Sequence, residues 1–252
     1  MVIRLKAILF DMDGVLVDVS RSYRHAIEET ARHFIGREVV PGTVQRYKDA
    51  GGFNDDWRLT HTIISDNGVH VSFQRVVDAF QRRYRGGDWD GFIAEEAPLV
   101  KSDTLQKISN GSRVLGLVTG RPDAEARWTL AHFGWTTLFP LVVPMEHQDG
   151  RGKPDPFPLQ RALALLEASG RLVRPEEAVY IGDTGDDMKA ARSAGLWVIG
   201  IVPPYPDIDI TDYNRQLYSH GAHLVLKHMD DLPVVLDDLV KHMAEKDDGS
   251  SD

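Results

Sequence analysis

Asp11 and Asp13, in the stretch "ILFDMDGVLVD" (8–18), are separated by Met12 alone and follow Ile8, Leu9 and Phe10, which read as the end of a buried strand. If the extended geometry continued, side chains two apart would face one space, and the two carboxylates would repel each other. A job that uses both would repay that cost. Three further groups come after similar β-rich runs: Thr119 and Gly120 in "VTGRP", Lys153 in "GRGKPDP", and Gly182, Asp183, Asp186 and Asp187 in "YIGDTGDDMKAARSAG". Singly, each is also ordinary turn, loop or helix-cap chemistry. Their common placement at strand ends is what argues for a site, because open parallel sheets bind ligands beyond the carboxyl ends of their strands. Hard divalent cations such as Mg²⁺ take carboxylate oxygens together with substrate phosphate. A carboxylate can also act as a nucleophile and form an aspartyl-phosphate, with a metal and a lysine neutralising the crowded charge. A hydroxyl and a backbone N–H, as at Thr119 and Gly120, can hold a phosphate oxygen.

The elements that must position these groups alternate from about residue 112 onward. Short apolar runs, "RVLGLV" (113–118), "LVV" (141–143), "AVYI" (178–181), "LWVIGIV" (196–202) and "HLVL" (223–226), are separated by helical stretches stopping at Gly134, Gly170 and Gly195. With "KAILF" as a sixth strand, this predicts an α/β fold: a doubly wound, Rossmann-like parallel sheet. Residues 19–92 break the alternation. Tyr23, Ala26, Ile27, Ala31, Phe34 and Ile35 share one helical face after a Ser20 cap, and Phe73, Val76, Val77, Phe80 and Tyr84 share another after Ser72. A third helix is expected to start at Asn54. The predicted organisation is an α/β core from residues 1–18 and 93–244, an inserted helical cap domain at 19–92, and a disordered acidic tail at 245–252.

The chain has 252 residues, 42% of them hydrophobic, and no apolar run long enough to span a bilayer, so it reads as a soluble globular protein. The opening "MVIRLKAILF" carries no export signal, and the absence of cysteine excludes disulfides, thiolate metal sites and cysteine nucleophiles while agreeing with a cytoplasmic location. A formal charge of -9 argues against nucleic-acid and membrane partners. His25, His33, His61 and His70 fall in or near cap helices and are not read as ligands.

On these motifs the chain resembles the haloacid dehalogenase superfamily, in the branch whose helical cap comes after the first motif, which includes phosphoglycolate phosphatases and β-phosphoglucomutases. "DMDGVLVD" matches the first motif, Thr119 the second, Lys153 in "GKPDP" the third, and "IGDTGDDMKAARSAG" the fourth. The resemblance implies that Asp11 is the nucleophile and that Asp13 is the general acid and base, also offering its backbone carbonyl to magnesium. It makes Asp183 a metal ligand and Asp187 the second acid of that motif. Thr119, Gly120 and Lys153 would bind the phosphoryl group, Lys153 also steadying Asp11. A Mg²⁺-dependent phosphatase of small phosphorylated metabolites, monomer or homodimer, is the expected activity; a sugar phosphomutase and a silent phosphometabolite-binding module are the alternatives. The sequence departs from the family pattern in two places. Arg121 comes after Thr119-Gly120 where relatives carry an amide side chain after the hydroxyl, and it reads equally as a cation added to the phosphate site and as a surface residue at the entry to a helix before Pro122. In the cap, the "YKDAGGFNDDW" stretch (47–57) reads either as a helix start with a flexible loop or as a specificity loop in which Lys48, Gly52, Phe53 and Asn54 meet the leaving group.

Overall fold

A computed structural model describes residues 4–50, 53, 55–109, 113–205 and 208–248, with the side chains of residues 49 and 242–248 outside the description. The strands, in chain order, are β1 (Ala7–Phe10), β2 (Val17–Asp18), β3 (Ala97–Pro98), β4 (Val114–Val118), β5 (Leu141–Val143), β6 (Ala178–Gly182), β7 (Trp197–Ile201) and β8 (Leu224–Leu226). The helices are α1 (Tyr23–Ile35), α2 (Thr43–Asp49), α3 (Asp56–Asp66), α4 (Phe73–Tyr84), α5 (Ser102–Ile108), α6 (Asp123–His132), α7 (Phe157–Ala168), α8 (Gly185–Ser193), α9 (Ile210–Ser219) and α10 (Leu232–Asp248).

Six strands form one sheet in the order β5-β4-β1-β6-β7-β8, and every pairing in it is parallel. The strands are buried along nearly their whole length, as a sheet covered by helices on both faces requires. This is the doubly wound α/β architecture. Leu9, Val118, Leu159, Ala162, Tyr180, Met188 and Val198 belong to its apolar core. On β4, a Cβ at Gly116 would lie 2.6 Å from Leu9 Cδ2 and 2.9 Å from Leu141 Cδ2, so a residue without a side chain lets the neighbouring leucines meet there. Gly134, Gly170 and Gly195 close helices with φ of 71°, 84° and 81°, the left-handed conformation expected at those stops.

The chain divides into two compact units, one of Met1–Val17, Pro98–Pro204 and Ile208–Asp252, the other of Asp18–Ala97 and Tyr205–Asp207. The crossings between them carry the short strands β2 and β3, which pair in a two-stranded sheet. In the second unit, α1 packs against α3 and α4, and Tyr23 stacks on Tyr84 with ring centroids 4.1 Å apart. Several local expectations shift. Helix α1 begins after Ser22 rather than Ser20, and the Ser22 hydroxyl donates to the buried Glu96 carboxylate at 2.7 Å. Helix α3 is capped by Asp55, whose Oδ1 accepts from the N–H groups of Trp57 and Arg58 at 3.0 and 3.1 Å; Gly52 and Asn54 lie outside the described residues. Phe73, at the first position of α4, is 41% exposed while Val76, Phe80 and Tyr84 are buried. Helix α10 runs through Asp248, four residues into the segment expected to be a disordered tail, because the Ala, Glu and Lys of "MAEKDD" favour helix. Residues 249–252 lie outside the description. Among the described residues no helix is long and apolar enough to cross a membrane.

Candidate active site

Strand β1 lies between β4 and β6, with Phe10 in register with Leu117 on one side and Ile181 on the other. The chain reverses its winding at this position, and the crevice beyond the strand ends receives the residues at the carboxyl ends of β1, β4 and β6. The strand stops at Phe10, so Asp11 and Asp13 do not continue as a flat ladder. Asp11 keeps one sheet contact, its N–H donating to Ile181 O at 2.9 Å. The Met12 carbonyl then accepts from the N–H groups of Val15, Leu16 and Val17 at 3.3, 2.8 and 3.1 Å, a tight turn permitted by Gly14 at φ 72°. The turn sends the two carboxylates to different cations, Lys153 and Arg121, which offsets part of the repulsion their spacing implies.

Asp11 meets Lys153, with Nζ 3.0 Å from Oδ1. Lys153 also lies 2.6 Å from Asp187 Oδ1 and donates to the Tyr180 hydroxyl at 2.9 Å. Tyr180 in turn donates to Asp187 Oδ1 at 3.0 Å. The other oxygen of Asp187 accepts from the Thr184 hydroxyl at 2.6 Å and the Thr184 N–H at 3.0 Å, a capping box that opens α8. Both Asp187 oxygens therefore hold protein donors, and its position fixes Lys153. Gly182 makes room for it, since a Cβ there would sit 2.4 Å from the Asp187 Cβ.

Burial is the dominant influence on these groups. It pushes the Asp11 carboxyl up to about 7, with the Lys153 ammonium opposing and the Asp187 and Asp13 carboxylates adding to the rise. Burial works against the charge on Lys153 as well, yet the facing Asp11 and Asp187 outweigh it and hold the ammonium above its ordinary pKa. Asp187 is buried too, but Lys153 and Thr184 keep it below the usual carboxylate range. Burial and the same two carboxylates raise the Tyr180 hydroxyl, which stays a neutral donor and acceptor.

Asp183 joins this pair from the end of β6: oxygens of Asp11, Asp183 and Asp187 all lie within 4.8 Å of one another, and all three residues are buried. With Asp11 ionised, three carboxylates against one ammonium leave an excess of two negative charges in a buried place. An oxygen-only donor set with that excess fits a hard divalent cation. The Asp183 carbonyl accepts from the Tyr213 hydroxyl at 2.9 Å, so α9, between β7 and β8, braces the loop carrying this acid.

Thr119 is held on both sides, its N–H donating to Val143 O at 3.1 Å and its carbonyl accepting from the buried Gln148 amide at 2.7 Å. Its hydroxyl oxygen accepts from the Arg121 N–H at 3.1 Å, which leaves the hydroxyl able to donate its own proton, and the neighbouring Gly120 is exposed. Arg121, read equally as a cation for phosphate and as a surface residue, is buried with its guanidinium on Asp13: Nε and Nη2 lie 2.7 and 2.6 Å from Oδ1. Its Nη1 donates to the Thr129 hydroxyl of α6 at 2.8 Å.

The first unit thus brings together Asp11, Asp13, Thr119, Gly120, Arg121, Lys153, Asp183 and Asp187. The second unit holds Lys48, paired with Asp56 at 2.9 Å, and Phe53, edge-on to Tyr47 with centroids 5.4 Å apart. Sequence reasoning passed over Tyr180, Gln148, Thr129 and Tyr213. Only Tyr180 left a signal, a polar group two residues before Gly182 in an otherwise apolar buried strand.

A family model described as haloacid dehalogenase-like hydrolase matches residues 5–195. An imidazoleglycerol-phosphate dehydratase of Phytophthora nicotianae is 36% identical over 206 residues, 79% of this chain and 44% of that protein, so the chain spans less than half of that relative. A phosphoglycolate phosphatase of Cereibacter sphaeroides is 28% identical over 251 residues, 95% of this chain and 99% of the relative. Among solved structures, β-phosphoglucomutase from Clostridium difficile shares the fold with a TM-score of 0.69 at 17% identity, covering 96% of this chain and 98% of that one.

Proposed function

Because the chain belongs to the haloacid dehalogenase-like hydrolases, we propose that it is a phosphatase that cleaves small phosphate monoesters in two steps, with Asp11 as nucleophile and Mg²⁺ as its metal. The observation that carries this reading is the buried cluster itself: a lysine shared between Asp11 and Asp187, with Asp183 close enough for a cation to join all three acids. Asp11, Asp183, Asp187 and the Asp13 backbone carbonyl are the groups assigned to hold the metal. Bound there, it would supply positive charge against the phosphoryl oxygens and keep Asp11 ionised.

In the first step an Asp11 carboxylate oxygen attacks phosphorus, the bond from phosphorus to the ester oxygen breaks, and Asp13 gives its proton to the departing alcohol. In the second, Asp13 takes a proton from the water that attacks the aspartyl-phosphate, and phosphate leaves with Asp11 restored. The Thr119 hydroxyl, the Gly120 N–H and the Lys153 ammonium hold the phosphoryl oxygens during both transfers. The buried Asp11–Lys153 pair supports the assignment of the nucleophile, since the ammonium fixes one oxygen and favours the ionised form. Lys48, Gly52, Phe53 and Asn54 are assigned to leaving-group recognition.

A phosphate-release screen tests the reading. The panel holds 4-nitrophenyl phosphate, phosphoglycolate, sugar phosphates, amino-alcohol phosphates, nucleotides and imidazoleglycerol phosphate, the last because the Phytophthora relative is named for it. Phosphate is expected to appear from at least one small monoester with Mg²⁺, to stop with EDTA and to resume when Mg²⁺ is restored. Undiminished release in EDTA would contradict the metal assignment. Isomerisation of a sugar phosphate without phosphate release would replace hydrolysis by phosphoryl return, and binding without turnover across the panel would make the chain a phosphometabolite-binding module.

A further inference from the structure

Arg121 is the largest charged side chain buried in this region, and the proposed phosphoryl chemistry gives it no task. Its side chain is 0% exposed, whereas Asp13, the acid it meets, keeps 31% of its side chain accessible. Burying a guanidinium is expensive, and a buried ion pair is in general no more stabilising than apolar residues of the same volume. Stability is therefore a poor reason for its presence. The geometry offers a better one. Both Nε and Nη2 approach the same oxygen of Asp13, Oδ1, at 2.7 and 2.6 Å. The guanidinium cannot swing, because Nη1 is tied to the Thr129 hydroxyl at 2.8 Å, and Thr129 is itself fully buried. The backbone is fastened too: Arg121 N–H donates to Thr119 Oγ1 at 3.1 Å, and Arg121 O accepts from Met145 N–H at 2.9 Å. Helix α6 thus holds the guanidinium, while the end of β4 and the turn after β5 hold the backbone that carries it.

We propose that Arg121 is the positioning residue of Asp13: by holding Oδ1 it fixes the plane of the carboxyl group and leaves Oδ2 as the oxygen that moves the proton. In the forward step, the proton passes from Oδ2 to the ester oxygen as that oxygen leaves phosphorus. In the return step, Oδ2 takes a proton from water as the new bond to phosphorus forms and the bond to Asp11 breaks. A planar, multiply tethered guanidinium suits this task better than a lysine, which would meet Oδ1 as a flexible point charge. Misorientation of a proton donor raises the barrier most where the leaving oxygen most needs the proton. The inference rests on the assignment of proton transfer to Asp13.

The test compares an alkyl phosphate, which leaves as a strongly basic alkoxide, with 4-nitrophenyl phosphate, which needs little protonation. Arg121→Gln is expected to lower kcat/KM, which reports the first transfer and not the shared hydrolysis of the Asp11 phosphate, by about 10- to 100-fold for the alkyl ester and far less for the nitrophenyl ester. Arg121→Lys should recover part of the loss. In an Asp13→Asn background, Arg121→Gln should cost almost nothing further, because its effect runs through Asp13. Equal losses on both esters, or an undiminished loss in the Asp13→Asn background, would overturn the inference and leave the phosphatase reading standing. If Asp13→Asn itself does not separate the two esters, the proton-transfer assignment fails, and the role of Arg121 with it. Should Arg121→Gln not fold, Thr129→Val carries the test. It loosens one tether and is expected to lower kcat/KM for the alkyl ester by about threefold relative to the nitrophenyl ester; no change in that ratio would overturn the proposal.

Discussion

Asp11→Asn is expected to abolish turnover, by on the order of 10⁴-fold or more, and at the same time to stabilise the metal-free protein above pH 7. The first effect comes from losing the nucleophile. The second comes from the environment of Asp11, whose carboxyl is pushed from 3.8 up to about 7, chiefly by burial. An acid raised in the folded state stabilises the fold while protonated. That contribution is complete below about pH 4 and is lost as pH rises through about 7. The loss is on the order of 2–4 kcal/mol. Asparagine never ionises and escapes it, while Lys153 keeps Asp187 as a counter-charge at 2.6 Å. Thermal melts in EDTA at a series of pH values between 4 and 8 would show the variant and the wild type diverging as pH rises, the variant melting roughly 5–15 °C higher at pH 8. Coincident curves at pH 8 would contradict this account of Asp11. Mg²⁺ should raise the melting temperature of the wild type more than that of the variant, since binding to the native state adds stability by mass action.

Lys153→Met should move stability the other way. The ammonium faces Asp11 at 3.0 Å and Asp187 at 2.6 Å, so its loss leaves two buried carboxylates confronting each other. Removing one partner from a buried ionic cluster typically costs about 3–5 kcal/mol. Activity should fall on the order of 10³-fold, because the phosphoryl oxygens lose a preorganised cation. The stability penalty should shrink as pH falls and the stranded acids take up protons. Asp11→Asn and Lys153→Met each remove one charge from the same pair, yet they are expected to shift the melting temperature in opposite directions. Calorimetry of both variants at pH 8 in EDTA checks this; a rise for both, or a fall for both, would show that the charge balance of the cluster has been misread.

What the sequence revealed and what it hid separate along a physical line. Asp11, Thr119, Lys153 and Asp183 were legible because each comes after an apolar run, and parallel strands place their carboxyl ends together. The sheet was legible for the same reason: short β-rich runs alternate with helical stretches stopped by Gly134, Gly170 and Gly195. The partner of Arg121 was not legible. Asp13 lies 108 residues away, and nothing local to "TGRP" distinguishes a guanidinium that turns inward from one that meets phosphate. Tyr213 was hidden likewise, since its hydroxyl reaches Asp183 across 30 residues from a helix without a motif. Asp55 and Asn54 are both good caps by type, and it takes the structure to show that the Asp55 side chain turns back on the N–H groups of Trp57 and Arg58.

The central claim is that phosphate passes through Asp11. Rapid acid quench of a single turnover, using a substrate with a labelled phosphoryl group, then digestion and mass analysis, tests it most directly. A transient phosphate adduct is expected on the peptide carrying "FDMDG", located at Asp11, accumulating most in the Asp13→Asn variant, where water attack is slowed, and absent from Asp11→Asn. Phosphate release from a good substrate with no adduct on that peptide at any time, or turnover retained by Asp11→Asn, would contradict it.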